Sequence, residues 1–272
     1  MPPSRLNKAK QEVLEAAREG RTLGDPQAVP PDEGLEYWAA QIAHRVKADK
    51  DALVLVTGPT GEGKSTLAMR LSLRVAKMLG TSWSPEAGLA YSAAELLSFY
   101  KRATESGERG QIAIVDEGAQ ALFSGDINNP DAKALIKAIN LVRVSGCVVF
   151  LCVPDMMSIA KAMRVRLAHV WLAVRFRGLA RCHVRERSVH YKPETTFGFS
   201  VSTKAPHVTW EAFPPEDPMW QAYLARKREN LLAYLREAEA DVAGSRRAPR
   251  STNAERSRRS RARKKQKSGA SP

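Results

Sequence analysis

The stretch LVLVTGPTGEGKST, Leu53 to Thr66, constrains this chain more than any other. The aliphatic run from Ala52 to Val56 reads as a buried strand. It leads into a loop carrying Gly58, Gly61 and Gly63. Lys64, Ser65 and Thr66 then open a helix expected to reach about Leu79. Gly58 to Ser65 fits the pattern G-x-x-x-x-G-K-[ST]. Few side chains in such a loop leave backbone N–H groups able to turn inward around a chain of phosphates. Those groups lie at a helix start, where the dipole favours negative charge. Lys64 is expected to reach the β- and γ-phosphates, and the Ser65 hydroxyl to ligate Mg²⁺. Gly58, Pro59, Thr60, Gly61, Glu62, Gly63, Lys64, Ser65 and Thr66 are thus the candidate residues for binding ATP with Mg²⁺.

A second segment, IAIVDEG, delivers two carboxylates at the end of an apolar strand over 111–115. Burying them is costly unless they face a cation or water. Asp116 is expected to hold Mg²⁺, through water or through Ser65. Glu117 is expected to polarise the water that attacks the γ-phosphate. The 52 residues from Lys64 to Asp116 leave room for a helix, a strand and a helix. A Glu directly after the metal Asp argues for hydrolysis over transfer of phosphate to a small acceptor.

Around these segments the pattern predicts an α/β chain. Helices are expected over about 33–48, 93–105, 130–144 and 156–163, with strands near 89–91 and over 147–153. HVWLAVRFRGLARCHVRER reads as a hairpin turning at Gly178. Strands alternating with helices imply right-handed crossovers and a parallel sheet covered on both faces. TSWSPEAG (81–88) reads as a loop. A last amphipathic helix is expected over 217–241, with Asp217 as cap, Pro218 in its first turn, and Trp220, Leu224, Leu231 and Leu235 near one face. The expected divisions are an N-terminal helix (4–20) and linker within 1–31, an ATPase core over 32–200, a helical extension over 201–244 and a basic tail over 245–272.

Composition narrows the class. The 272 residues are 43% hydrophobic, enough for a real core. No apolar run is long enough to cross a bilayer, and the N-terminus lacks the apolar stretch of a signal peptide. Cys147, Cys152 and Cys182 are too scattered for a disulfide framework, which predicts reduced thiols and a cytoplasmic location. The five histidines show no ligand spacing. The net charge of +14 is uneven: residues 245–272 hold 11 Lys/Arg against one Glu. That cationic arm is expected to be disordered and to bind nucleic acid phosphates; an anionic membrane or an acidic partner are the alternatives. In ARCHVRER, Arg181, His183, Arg185 and Arg187 share one face of a strand, with Arg175 and Arg177 on its partner strand. Such a face could track DNA non-specifically, or only keep an exposed strand soluble.

Taken together, GPTGEGKS, IVDEGAQALFS and LVRVSGCVVFLCVPDMMSIAKAMRVRLAHVWLAVR resemble the FtsK/HerA branch of P-loop ATPases over roughly 50–190. The likeness is to its small viral and plasmid members, which include genome-packaging and zonular-occludens-toxin-like ATPases. It implies a RecA-like core in which the 147–153 strand inserts between the strand before the loop and the strand ending at Asp116. It also implies an ATP-driven motor on double-stranded DNA, often a homo-oligomeric, hexameric ring. One ATPase domain per chain favours shared work independently. In such a ring an arginine supplied in trans reaches a neighbour's γ-phosphate, and Arg164, Arg166 or Arg143 could be that finger. Where relatives carry a polar sensor at the tip of the inserted strand, this chain has Pro154 and then Asp155. Two other classes stay open from sequence: a P-loop kinase, and an ATP-switched assembly protein with slow turnover.

Overall fold

The computed structural model describes residues 33–116, 137, 139, 145–156, 159, 168–185, 199–201 and 207–247. The expected helix over 4–20, nearly all of those over 130–144 and 156–163, and the tail beyond 247 lie outside these residues. So do Glu117, Arg143, Arg164, Arg166 and Arg187.

The elements follow the apolar pattern closely. Helix α1 spans Glu33–Lys47, strand β1 Ala52–Thr57, helix α2 Lys64–Leu79, α3 Pro85–Gly88 and β2 Leu89–Ala90. Helix α4 runs Ala93–Ser106, followed by β3 (Ile112–Asp116), β4 (Val148–Val153), β5 (Val170–Phe176) and β6 (Leu179–Arg185). Strands β7 (Phe199–Val201) and β8 (Val208–Thr209) precede helix α5 (Pro218–Arg247).

One sheet holds all eight strands in the order β2-β3-β4-β1-β5-β6-β7, with β8 also paired to β6. Strands β2, β3, β4, β1 and β5 are mutually parallel; β6, β7 and β8 add antiparallel pairs. Every residue of β1, β3 and β4 is buried, as a sheet covered on both faces requires. Period-2 alternation splits them between two cores. Val54, Val56, Ile114 and Phe150 pack with Trp38 and Ile42 of α1 and Leu67 and Leu71 of α2. Leu53, Leu55, Val115 and Leu151 pack with Leu96 and Phe99 of α4.

The position of β4 matters most for function. Cys152 of β4 lies beside Val56 of β1 on one side and Asp116 of β3 on the other. One whole strand therefore separates the phosphate-loop strand from the acid-bearing strand, and both end at the same carboxyl edge. The expected insertion of the 147–153 strand is what the pairing shows. Ligands of open α/β sheets bind in the crevice outside that edge.

Three expectations shift. TSWSPEAG is not all loop: Pro85–Gly88 forms one helical turn with proline in its first positions, where a missing N–H costs nothing. Helix α5 continues past the expected end at 241 to Arg247. Asp217 caps it as foreseen, its Oδ1 accepting from the N–H groups of Met219 and Trp220 at 2.9 and 3.1 Å. Finally, β6 is no sheet edge, because β7 and β8 both pair with it.

The chain divides into two compact units, Met1–Tyr223 and Leu224–Pro272. The described part of the second is the helix from Leu224 to Arg247. Among the described residues no helix is long and apolar enough to cross a membrane.

Candidate nucleotide site

The loop between β1 and α2 is held in a narrow space. Gly58 has φ 148°, and a Cβ there would lie 2.7 Å from the Val174 carbonyl oxygen. Its N–H donates to the Pro154 carbonyl at 3.2 Å, tying the loop to the tip of β4. Gly63 caps α2 at φ 88°, in the left-handed region that only glycine adopts freely. No side chain caps this helix, and its first turn holds no acidic residue. The first N–H groups of a helix have no acceptor within it. Here they are left for an acceptor from outside.

Lys64 is 3% exposed, and its ammonium donates to the Gly58 and Pro59 carbonyls at 2.9 and 3.0 Å. The lysine thus bends back over its own loop and holds a positive charge inside the curve. One residue on, Ser65 Oγ donates to Asp116 Oδ1 at 2.6 Å. Asp116 is fully buried, as the last residue of β3. Its other oxygen, Oδ2, accepts from the Tyr223 hydroxyl at 2.8 Å. Burial, and then the Asp116 carboxylate, push the Tyr223 phenol far above its ordinary value, so it stays a donor.

Tyr223 arrives by an aromatic stack. Arg70 of α2 lies 4.0 Å over the Phe213 ring, Phe213 stacks on Trp220 and Trp220 on Tyr223. This ladder docks the first turns of α5 beside the site.

The β5–β6 turn grips the loop from the other side. Arg177 donates its backbone N–H to the Glu62 carboxylate at 2.6 Å and its guanidinium to the Gly61 carbonyl at 2.9 Å. The Trp210 ring sits against Gly63. The Trp171 indole N–H donates to Thr57 Oγ1 at 2.8 Å, fixing the end of β1.

These residues fit a triphosphate with Mg²⁺. Uncapped N–H groups and a buried ammonium suit phosphate oxygens, and a hydroxyl hydrogen-bonded to a buried carboxylate suits a hard, oxygen-seeking cation. Ser65 and Asp116 would hold the metal; Lys64 and the loop backbone would hold the phosphates.

The residues expected to form the site therefore come together where described: Gly58 through Thr66, with Asp116, converge at one sheet edge. Asp155 is exposed, one residue beyond the Pro154 carbonyl that meets the loop. The expected cationic face of the hairpin divides. Arg175 and Arg181 are exposed, whereas Arg177 is engaged with the loop. His183 is 9% exposed and stacked on Trp171 at 4.2 Å, so it does not belong to a surface that could track phosphates. Burial, then Arg181, Arg175 and His207, lower its pKa and favour its neutral form. Sequence reading missed Tyr223, Trp210 and the loop-gripping role of Arg177. Their partners lie more than a hundred positions away, and no local spacing marks them.

No protein-family model matches the chain, and no curated protein does. Solved structures give distant likenesses. The N-terminal domain of zonular occludens toxin from Neisseria meningitidis is 15% identical, with a TM-score of 0.37 over 60% of this chain and 95% of its own. Trip13 from Rhizobiales is 17% identical, with a TM-score of 0.32 over 62% of this chain and 61% of its own. A chain of the E. coli MS115-1 HORMA:CdnC:Trip13 complex is 18% identical, with a TM-score of 0.34 over 62% and 63%. The chain spans less than two thirds of the latter two. Its own strand order and loop geometry are those of a P-loop NTPase-like fold with one strand inserted between loop and acid.

Proposed function

We propose that this chain is a P-loop ATPase that couples hydrolysis to movement of double-stranded DNA, as in viral packaging or plasmid transfer. The observation that carries the ATPase reading is the 2.6 Å hydrogen bond from Ser65 to buried Asp116, beside an ammonium turned into the loop. Mg²⁺, when bound, supplies charge neutralisation on the phosphate oxygens. Lys64 binds and orients the terminal phosphates. Asp116 fixes the Ser65 hydroxyl. Glu117, next in the chain, orients the attacking water and takes its proton. Arg164 or Arg166 of a neighbouring copy supplies positive charge at the γ-phosphate, worth about 10³–10⁵ in rate where such fingers operate. A finger supplied in trans requires a homo-oligomer, and the resemblance to the FtsK/HerA branch implies a hexameric ring. The DNA reading is supported by the basic arm over 245–272 and by the resemblance to the FtsK/HerA branch.

The test is the steady-state ATPase rate with and without long double-stranded DNA, at low and moderate salt. Strong stimulation that disappears in Glu117→Gln supports the motor. A slow rate indifferent to DNA would overturn the motor and favour ATP-switched assembly, or a kinase whose acceptor has not been supplied. Lys64→Ala should weaken ATP binding about 10- to 100-fold, from about 1.5–3 kcal/mol for hydrogen bonds to charged groups. Unchanged affinity would remove the phosphate-loop assignment.

A further inference from the structure

The end of the loop that suits Mg²⁺ and the terminal phosphates lies toward β3, where Asp116 meets Ser65. The tip of β4 meets the loop on that same side of β1, through the Gly58 N–H and the Pro154 carbonyl. A nucleotide seated with its γ-phosphate there extends the other way, across Gly63 toward β5 and β6 on the far side of β1. Two side chains meet the loop on that far side. Arg177, at the β5–β6 turn, is exposed. Glu62 fixes its backbone N–H, and the Gly61 carbonyl takes one N–H of its guanidinium. Its Cγ lies 3.8 Å from where a Gly63 Cβ would stand, so the stem runs alongside the loop. A guanidinium hydrogen-bonds in its own plane and stacks through its face. The bond to Gly61 therefore does not use up its capacity to hold a flat ring.

Trp210 follows β8, its backbone N–H donating to the Gly178 carbonyl at 3.2 Å. The residue is 4% exposed, and the edge that meets the loop carries the indole N–H. Nε1 and Cζ2 lie 3.4 and 3.6 Å from that same Gly63 position. Among the described residues that N–H has no acceptor, although buried indole N–H groups usually find one.

We infer that Arg177 and Trp210 seat the nucleoside end of the nucleotide, a role that rests on the nucleotide reading of the loop. The Arg177 guanidinium stacks on the base, and the Trp210 N–H donates to an acceptor atom of the ribose or base. Every base has a flat face, so this seat favours a nucleoside triphosphate over bare phosphates.

Calorimetric titration of the full chain, with Mg²⁺ present, tests it with two ligands: ATP, and inorganic tripolyphosphate, which carries the phosphates without the nucleoside. The unsubstituted chain should bind ATP more tightly than tripolyphosphate. Arg177→Ala should weaken ATP about 3- to 30-fold, the range for a cation on a ring face, and leave tripolyphosphate nearly unchanged. Arg177→Lys keeps a donor for the Gly61 carbonyl but loses the plane, and should show the same split. Trp210→Phe keeps a ring, loses the N–H, and should weaken ATP about 3- to 10-fold, the range for one hydrogen bond, again sparing tripolyphosphate. Lys64→Ala should weaken both ligands. Equal losses of ATP and tripolyphosphate in the Arg177 and Trp210 variants would make these residues braces of the loop only. That result overturns the nucleoside seat and leaves the phosphate site in place. Unchanged ATP affinity in those variants would overturn the seat as well. Binding of neither ligand by the unsubstituted chain, or a Lys64→Ala chain that binds both as before, would overturn the nucleotide reading and the seat with it.

Discussion

At the scale of single residues, the site turns on how one buried carboxylate is held. Asp116 has a donor on each oxygen, Ser65 on one and Tyr223 on the other. Two donors fix the plane of the carboxylate and so the direction in which the Ser65 oxygen presents its lone pairs. Tyr223→Phe keeps the ring and its stack on Trp220 but removes one donor from a fully buried acid. The expected loss is about 1–3 kcal/mol of stability, the usual cost of taking a partner from a buried acceptor. Nucleotide affinity should fall several-fold with Mg²⁺ present and stay unchanged with EDTA. Equal loss under both conditions would make Tyr223 a packing residue only. The loop and Asp116 were legible in sequence because their chemistry is local: glycine spacing and a carboxylate ending an apolar run. Tyr223 was not legible. It reaches the site only because Phe213 and Trp220 dock the start of α5, a contact that tertiary packing decides.

At the scale of elements, apolar periodicity located β1, α2, α4 and β3 to within a residue, because each has a fully or half-buried face that leaves an unbroken pattern. Strand β4 was legible as a strand from its apolar run, but its place between β1 and β3 came from family likeness, since composition says nothing about strand order. The hairpin was legible as a hairpin, with Arg175 and Arg181 exposed as expected, but His183 was wrongly placed on its exposed face. Alternation put His183 on the same face as Arg181, but could not show that Trp171 lies over it or that β7 and β8 flank β6. That burial has a pH consequence. The pKa of His183 is lowered in the folded state, so between that value and about 6.5 the unfolded chain binds more protons. Stability therefore rises with pH through this window and is lost as pH falls through it. His183→Phe, which keeps a ring against Trp171, should flatten the dependence. Urea midpoints of both chains at pH 5 and pH 7.5 measure it. Equal pH slopes would mean that another group carries the transition.

At the scale of the whole molecule, charge is what sets the arm apart from the rest of the chain. Of the net +14, the last 28 residues supply +10, leaving the rest nearly balanced. Helix α5 runs to Arg247, so truncation after that residue leaves the helix in place while removing nine Lys/Arg and one Glu. Binding driven by phosphate contacts weakens with salt, with a log–log slope of about −0.9 per phosphate neutralised on duplex DNA. If most of those nine cations engage phosphates, the full chain should show a steep slope and the truncated chain one shallower by several units. Affinities should converge at high salt, where counterion release no longer favours the arm. Fluorescence anisotropy with a labelled duplex, from about 50 to 300 mM salt, resolves such a difference. The same experiment separates the arm from the hairpin. Arg175→Ala with Arg181→Ala alters the slope only if that exposed pair also meets the backbone, whereas a truncation that leaves the slope untouched assigns DNA to the hairpin and the arm to another anionic partner.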